Sequence, residues 1–396
     1  MDLEIFLLIA FVGISLALIL KDRKNVEFKY VLLIRRTKRF IKKIDEIVKK
    51  YGKAIKIYSL SAIFFSIAAS LFGVYMLIQN LYFSITHPEE AIPSVGMILP
   101  KVPGLEYPFP YIIGVPVSYW IISIFTILFS HEFSHALVAR KEKIRIKSFG
   151  ILLFLIFPGA FVEPDEEQIK KSKILTRLKI YSVGSFGNFL NVLVFLIISF
   201  LLFKLVLFFL EPVGIEYEVI EETPASKANL EGTIMSVNEI RTKNIYEFIN
   251  AMKSVKPGEV VKIKTEYKVY EIKTTNHPDN PELPYIGISF KRNKIEFKEE
   301  FNFLGKPSPF LIDFLEWLFG SPLFTPFTPG LFSWLIILNL LVGIFNVLPI
   351  KPLDGGFMYE AIFEKLFSKD KARKLVNLFS LFIILTILIN IAISLT

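Results

Sequence analysis

The amino-acid sequence predicts a polytopic α-helical membrane protein, with about six transmembrane helices, a re-entrant β-hairpin, and a small α+β domain between the fourth and fifth spans. Two observations favour this class. The chain of 396 residues is 53% hydrophobic, more apolar than a typical soluble domain, and the apolar residues fall in runs that are long enough to cross a bilayer. The net charge of +9 is concentrated in one segment between two such runs, a pattern that sets the orientation of membrane proteins.

Six apolar segments are candidate spans, because a helix needs about 20 apolar residues to cross the hydrocarbon core. No basic residue precedes the first of them, so we expect an uncleaved span rather than a signal peptide. Ile151–Val162 is apolar but too short to cross, and Pro158–Gly159 interrupts it, so it is a re-entrant candidate. The six spans are Leu3–Leu20, Ile57–Ile85, Val115–Val138, Ile180–Leu210, Leu331–Leu348 and Leu375–Ile393.

The basic residues predict the orientation of these spans. Lys21–Lys56 contains fourteen Lys and Arg against four Asp and Glu, a local balance of +10, and basic clusters also follow the third and fifth spans. Placing all three clusters in the cytoplasm puts both termini and Glu211–Pro329 outside a cell membrane. We expect no nucleic-acid partner, because the basic segment has few aromatic residues for base stacking.

The outer segment reads as a separate soluble module. Within Val213–Phe290, Tyr217–Ile220 and Val260–Thr265 are expected strands, and Ile245–Val255 is an expected amphipathic helix. Pro309–Gly320 follows with apolar and acidic residues, and we expect a helix that lies in the membrane interface.

The third span carries the sequence HEFSH at His131–His135. Four residues advance a helix by roughly 400°, so both imidazoles leave the same face one turn apart. They can hold one zinc ion, with Glu132 beside a metal-bound water as general base. Such a cluster is costly inside an apolar helix, which favours a functional role over a chance match.

Zinc needs a third protein ligand, and this has to be a carboxylate. The chain has no cysteine, and its other histidines, His87 and His277, lie in segments that we expect outside. Asp354 is the candidate, at the cytoplasmic end of the fifth span and at about the depth of His135. The alternatives are a solvated aspartate in a proline–glycine loop and a different divalent ion.

These motifs together resemble the site-2 proteases, which are intramembrane zinc metalloproteases. HExxH in one membrane helix is followed by NxxPxxxLDGG at Asn346–Gly356 in a later one, and Gly187 with Asn191 is similar to the family's glycine–asparagine element. Asn188 stands where many members have proline. Gly150–Pro164 resembles the re-entrant β-hairpin that family members place beside the active site, where an unwound substrate can add as a strand.

The outer module resembles a PDZ domain. Thr223–Ile234 is similar to the common SPAxxAGLxxGDxI pattern, with Asn229 and Thr233 in place of the usual glycine and aspartate. Val213–Ile215 is the candidate peptide-binding loop, so a peptide ligand of this domain is a possible partner. The resemblance also implies that the domain lies outside, in agreement with the charge pattern.

The resemblance implies a zinc metalloendopeptidase that cleaves within or near transmembrane segments of membrane proteins. His131, His135 and Asp354 would bind one Zn²⁺ and Glu132 would be catalytic. Asn191 and Asn346 would hold the substrate backbone, or else only form interhelical hydrogen bonds. Three alternatives remain: a catalytically silent adaptor that binds peptides through the PDZ-like domain, a metal transporter, and a membrane-anchored protease of soluble substrates.

The sequence also predicts how these parts are distributed along the chain. The predicted segments are an N-terminal transmembrane pair with its basic loop (1–92), the first part of the protease core (93–210), the PDZ-like domain (211–300), an interfacial linker (301–330), the second part of the core (331–356), and a cytoplasmic loop with the last span (357–396).

Overall fold

The structure is a computed structural model that describes residues 3–21, 26–29, 32–154, 157–320 and 329–395. Parts of three predicted features lie outside the described residues: 22–25, 30 and 31 of the basic segment, 155 and 156 of the hairpin, and 321–328 of the linker.

Helices and strands are interspersed along the described chain. The helices are α1 (Leu3–Leu20), α2 (Ile41–Thr86), α3 (Val117–Lys141), α4 (Glu166–Lys171), α5 (Ile174–Phe209), α6 (Pro224–Lys227), α7 (Ile245–Met252), α8 (Pro309–Phe319), α9 (Leu331–Asn346), α10 (Asp354–Phe363) and α11 (Lys369–Ile393). The strands are β1 (Val26–Lys29), β2 (Leu32–Thr37), β3 (Met97–Lys101), β4 (Ile112–Pro116), β5 (Ile146–Phe154), β6 (Phe157–Pro164), β7 (Leu210–Val219), β8 (Ile234–Val237), β9 (Ile240–Arg241), β10 (Val260–Thr265), β11 (Val269–Lys273), β12 (Thr275–Asn276), β13 (Pro284–Tyr285) and β14 (Ile288–Phe297).

The chain divides into two compact units. One combines residues 1–194 with 335–396, and the other comprises 195–334. Among the described residues, four helices are long and apolar enough to cross a membrane, namely α2, α3, α5 and α11, and the apolar helices α1 and α9 are shorter. The chain is therefore a membrane helical protein with some sheet, and the count of six spans stays a prediction.

Helix α2 is much longer than the predicted second span. It begins at Ile41, sixteen residues before Ile57, and its backbone is non-helical at Tyr51, where a kink joins two helical segments. The first segment is rich in lysine, so the sequence does not mark it as part of the helix. Its Ile44 is nevertheless buried, so this basic stretch is a packed helix and not a loop.

A four-stranded sheet with the order β1-β2-β5-β6 lies in the first unit. The predicted β-hairpin is present, since β5 and β6 are antiparallel with Gly150 opposite Phe161. The expectation of a loop before α2 was wrong, because β1 and β2 form there and β2 pairs with β5, placing Ile34 opposite Leu152. Strand β2 is short and contains Arg35 and Arg36, so in the sequence its basic charge is more evident than its strand pattern.

The second unit folds around its own apolar core. Its main sheet has the order β11-β10-β8-β7-β14, and β9 pairs with β8. In β10, alternate residues are buried, so Val261 and Ile263 face the core while their neighbours are exposed. Helix α7 buries Phe248 and Met252 against this core, and the Asn244 side chain caps its first turn.

Three of the four elements that the sequence predicted in this unit are placed closely, and β10 has the predicted bounds. The strand predicted at Tyr217–Ile220 overlaps the end of the longer β7, and the other strands of the unit were not predicted. Helix α7 starts at the predicted residue and ends three residues before the predicted end, and α8 matches the predicted interfacial helix to within one residue. Val213–Ile215 is not a loop, because these residues lie inside β7, where Gly214 is opposite Lys294 of β14.

A buried ion pair joins α10 to α5 in the first unit. The Arg177 guanidinium donates two hydrogen bonds to the Glu364 carboxylate, and the two side chains are only 7% and 12% exposed. Hydrogen bonds from Arg177 hold the pKa of Glu364 below its ordinary value of 4.5. This pair fixes the end of α10, whose first residue is Asp354.

We expect Glu364→Gln to lower the free energy of unfolding by about 3 kcal/mol, because Arg177 then keeps a buried charge without its partner. A depressed pKa in the folded state adds stability above the ordinary pKa, and this stability is lost as the pH falls through the folded value. Unfolding in detergent at neutral and at acidic pH should show this acid-dependent loss in the wild type and not in the variant.

The matched control is Glu166→Gln. Glu166 forms an exposed pair with Lys170 one turn away in α4, with side chains 76% and 63% exposed, and such pairs contribute little to stability. An equal loss of stability in both variants would contradict the structural role of the Arg177–Glu364 pair.

Candidate metal centre

Three acceptor atoms converge at one point of the first unit. Nε2 of His131 and Nε2 of His135 are 3.2 Å apart, because the two residues lie one turn apart on α3. Oδ2 of Asp354 is 3.2 Å from the His131 nitrogen and 3.0 Å from the His135 nitrogen. The structure therefore brings together the three residues that the sequence singled out as metal ligands.

The donor set fits a bound cation. The side chains of His131, His135 and Asp354 are 14%, 12% and 20% exposed, so water does little to screen three acceptor atoms in contact. A tetrahedral ion with bonds of about 2.0–2.1 Å separates its ligand atoms by roughly 3.3 Å, close to the spacing found here. With these three residues as ligands, a zinc ion would have a fourth position free, as in catalytic zinc sites.

Glycines allow the backbone to approach these side chains. A Cβ atom on Gly184 of α5 would lie 2.4 Å from Nε2 of His135 and 2.6 Å from Nε2 of His131, and one on Gly187 would lie 2.5 Å from Oγ of Ser134. Glycine at both positions lets α5 cross α3 at the centre.

Asp354 is placed by the turn between α9 and α10. It is the first residue of α10, and a Cβ atom on Gly355 would lie 2.2 Å from the carbonyl oxygens of Val347 and Leu348. The glycine thus lets the first turn of α10 rest on the end of α9. Lys351 of the same turn forms an ion pair with Glu360 of α10.

The Glu132 side chain reaches from α3 to the β-hairpin. Its Oε2 accepts a hydrogen bond of 2.7 Å from the backbone N–H of Val162 in β6. Strand β6 is the last strand of its sheet, so this N–H points away from β5 and towards α3. The contact leaves Oε1 of Glu132 available for other chemistry.

The two predicted substrate-binding asparagines occupy different surroundings. The Asn191 amide nitrogen lies 2.9 Å from Oγ of Ser130 and 3.1 Å from Oδ1 of Asn339, so it is engaged between α3, α5 and α9. Asn346 is half-buried at the end of α9, and no hydrogen bond of its side chain is found among the described residues.

Several polar residues near the centre were missed from the sequence. Ser130 donates to Oδ1 of Asn188 over 2.8 Å, and Asn188, which replaces the family's proline, is fully buried. Asn339 is also fully buried. The available signal was spacing, because Asn339 lies seven residues before Asn346 and Gly184 lies three before Gly187, which places each pair on one helical face.

Comparison with known proteins agrees with this geometry. The sequence profile described as peptidase family M50 matches residues 119–306 and 308–388, which include nearly all of α3, the hairpin, α5, α9, α10 and most of α11. The chain belongs to peptidase family M50, the site-2 protease family. It is thereby a member of a family of membrane metalloproteases.

One relative of this M50 chain is the "Uncharacterized protein MJ0971" of Methanocaldococcus jannaschii. It is 27% identical over 311 residues, which cover 76% of this chain and 70% of the relative.

We expect Gly184→Ala to weaken metal binding by at least tenfold, since an added Cβ would displace both imidazoles by several tenths of an ångström or push α5 away from α3. Binding is measured by titrating zinc against a competing chelator. The control is Gly13→Ala in α1, where an added Cβ meets no atom within 4 Å. Wild-type zinc affinity in a folded Gly184→Ala protein would contradict this account.

Proposed function

We propose that this M50 peptidase is an intramembrane zinc metalloprotease that hydrolyses peptide bonds within or near transmembrane segments of membrane proteins. The observation that carries the proposal is the convergence of His131, His135 and Asp354, with Glu132 adjacent on the same helix. The ligand-bearing helix α3 is one of the helices that are apolar enough to cross a membrane. This setting supports a membrane protein substrate over a soluble one.

The three ligand residues would hold the ion, and Glu132 would transfer protons. A zinc ion, when bound, supplies Lewis acidity for the scissile carbonyl and lowers the pKa of water. The N–H of Val162 holds Oε2 of Glu132 in place, so Oε1 is the oxygen that can take a proton from the attacking water and pass it to the leaving amine.

Strand β6 is the proposed docking edge for the substrate. A transmembrane helix shields its own carbonyl groups, so it must unwind before hydrolysis. An unwound segment can pair with the outer edge of β6, which faces α3 at Val162 next to Glu132. Asn346, whose side chain is uncommitted in the described structure, is the better candidate to bind substrate backbone, and Asn191 would support it through the helix contacts.

The proposal also covers the second unit and the orientation of the chain in the membrane. We infer that residues 211–300 form a PDZ-like domain: Thr223 caps α6, and the sheet with α7 makes a compact α+β core. We further propose that this domain binds a peptide ligand and that the domain and both termini lie outside the cell membrane. The active site would lie near the cytoplasmic side, and the lipid bilayer is itself a partner.

Glu132→Gln should reduce cleavage of a transmembrane peptide by about 10²–10⁴-fold, the usual contribution of a general acid–base. The assay uses the full chain reconstituted in lipid vesicles, with metal content measured on the same sample. Zinc should stay bound in Glu132→Gln and be lost in His135→Ala. A chelator should stop cleavage and added zinc should restore it.

A protein that cleaves at the wild-type rate with glutamine at position 132, or with the metal removed, would not be such a protease. In that case, peptide binding through the PDZ-like domain, the function of an adaptor, becomes the better interpretation.

Ala160→Pro tests the docking edge. Since Val162 points its N–H outwards and alternate residues of a strand share a direction, the N–H of Ala160 also points away from β5. Proline there removes an outward donor without breaking the β5–β6 ladder. We expect about tenfold slower cleavage, because one substrate hydrogen bond is lost. Ala160→Val keeps the N–H and is the control; equal rates in the two variants would argue against strand addition.

A further inference from the structure

An open surface pocket of about 760 Å³ lies where the lysine-rich first part of α2 meets the C-terminal end of α3. Its size falls within the range of small-molecule sites. The kink of α2 at Tyr51 forms part of its wall. Six of its ten lining residues are cationic and none is acidic; the cations are Lys49, Lys50, Lys53, Arg140, Lys141 and Lys143.

The positive charge in this cavity is largely uncompensated. Arg140 is neutralised, because Asp45 accepts hydrogen bonds of 2.6 and 3.0 Å from its guanidinium. None of the five lysines has a carboxylate within salt-bridge distance in the part of the chain that the structure describes. The nearby Glu142 accepts hydrogen bonds from Lys179 and Thr176, at 2.7 and 2.9 Å. Of the pocket lysines, Lys141 also interacts with the charge of Glu142. Clustered ammonium groups repel one another, so the cavity favours an anion.

The backbone around the cavity is arranged to hold these lysines. The turn after α3 bonds the N–H of Ile144 to the carbonyl of Ala139, and Lys143 occupies its left-handed position with φ of 63°. Glycine is usual at this position, and a side chain there costs about 1 kcal/mol. Conversely, Gly52 makes room for a lysine, because a Cβ atom on it would lie 2.9 Å from Nζ of Lys141.

We propose that this cavity, the lysine pocket, binds the phosphate group of an anionic ligand. A phosphate accepts hydrogen bonds from several ammonium groups at once, and lysine binds it as a point charge. The pocket lies just beyond Val138 and Ala139, where the apolar part of α3 ends, so with α3 across a bilayer it would lie at the level of the lipid headgroups. The phosphate belongs either to a phospholipid headgroup or to a small soluble compound.

Two arms of one experiment distinguish these sources. In the first, inorganic phosphate is titrated calorimetrically into the full-length protein in a neutral, lipid-free detergent, with sodium chloride at equal ionic strength as reference. In the second, the protein is reconstituted in phosphatidylcholine vesicles that contain phosphatidic acid. The lipids that it retains on extraction are then identified by native mass spectrometry.

The test variant removes three pocket charges and the control removes three charges outside the pocket. The control lysines are exposed residues of α2 that do not line the cavity. The test variant is Lys53→Gln/Lys141→Gln/Lys143→Gln, and the control is Lys42→Gln/Lys43→Gln/Lys56→Gln.

We expect the test variant to bind the phosphate probe at least about tenfold more weakly, and the control within about twofold of wild type. Saturable binding of inorganic phosphate identifies a soluble ligand. Retention of phosphatidic acid without binding of inorganic phosphate identifies a headgroup. Equal loss in both variants, no binding in either arm, or the same signal with chloride would overturn the proposal.

The Lys143→Asn variant distinguishes a loss of binding from a loss of folding. Asparagine tolerates the left-handed conformation, so this variant should keep the thermal stability of the wild type and still bind the probe several-fold more weakly. Wild-type affinity in a stably folded Lys143→Asn protein would contradict the assignment of Lys143 to the pocket.

Discussion

The structure depends on holding two imidazole nitrogens and one carboxylate oxygen about 3 Å apart within largely apolar helices. Such a cluster is unfavourable unless a cation compensates it, and residues 131 and 354 are far apart in sequence. The helices must therefore meet at fixed depth and distance. Gly184 allows the close approach of α5 to α3, and Gly355 allows the start of α10 to pack against the end of α9.

Polar side chains then fix the helices in this arrangement. Ser130, Asn188, Asn191 and Asn339 join α3, α5 and α9 beside the centre. The Arg177–Glu364 pair joins α5 to the far end of α10. In a bilayer, apolar contacts alone do not select one helix arrangement over another, because lipid tails compete for the same surfaces, so small residues and interhelical hydrogen bonds determine the arrangement.

The sequence was informative where chemistry is local or residue types are scarce. The i, i+4 spacing places His131 and His135 on one face, and the absence of cysteine left a carboxylate such as Asp354 as the third candidate. It was less informative where a signal depends on a distant partner. Strand β2 looks like a basic loop until β5 is placed beside it, and the hydrogen bond of Glu132 to Val162 follows from tertiary packing alone. Asn191 illustrates the same limit, since nothing local shows that Asn339 faces it.

The hydrogen bond from Val162 to Glu132 has a consequence for where a substrate would be cut. If a peptide pairs with the edge of β6, its backbone groups alternate in direction with a period of two residues. A peptide that slides along the edge recovers its hydrogen bonds only after an even number of residues, because an odd step turns its donors and acceptors outward. Under the proposed function, alternative cuts in one substrate would then be separated by two or four residues. Side chains an even number of residues apart would face Glu132 at these cuts.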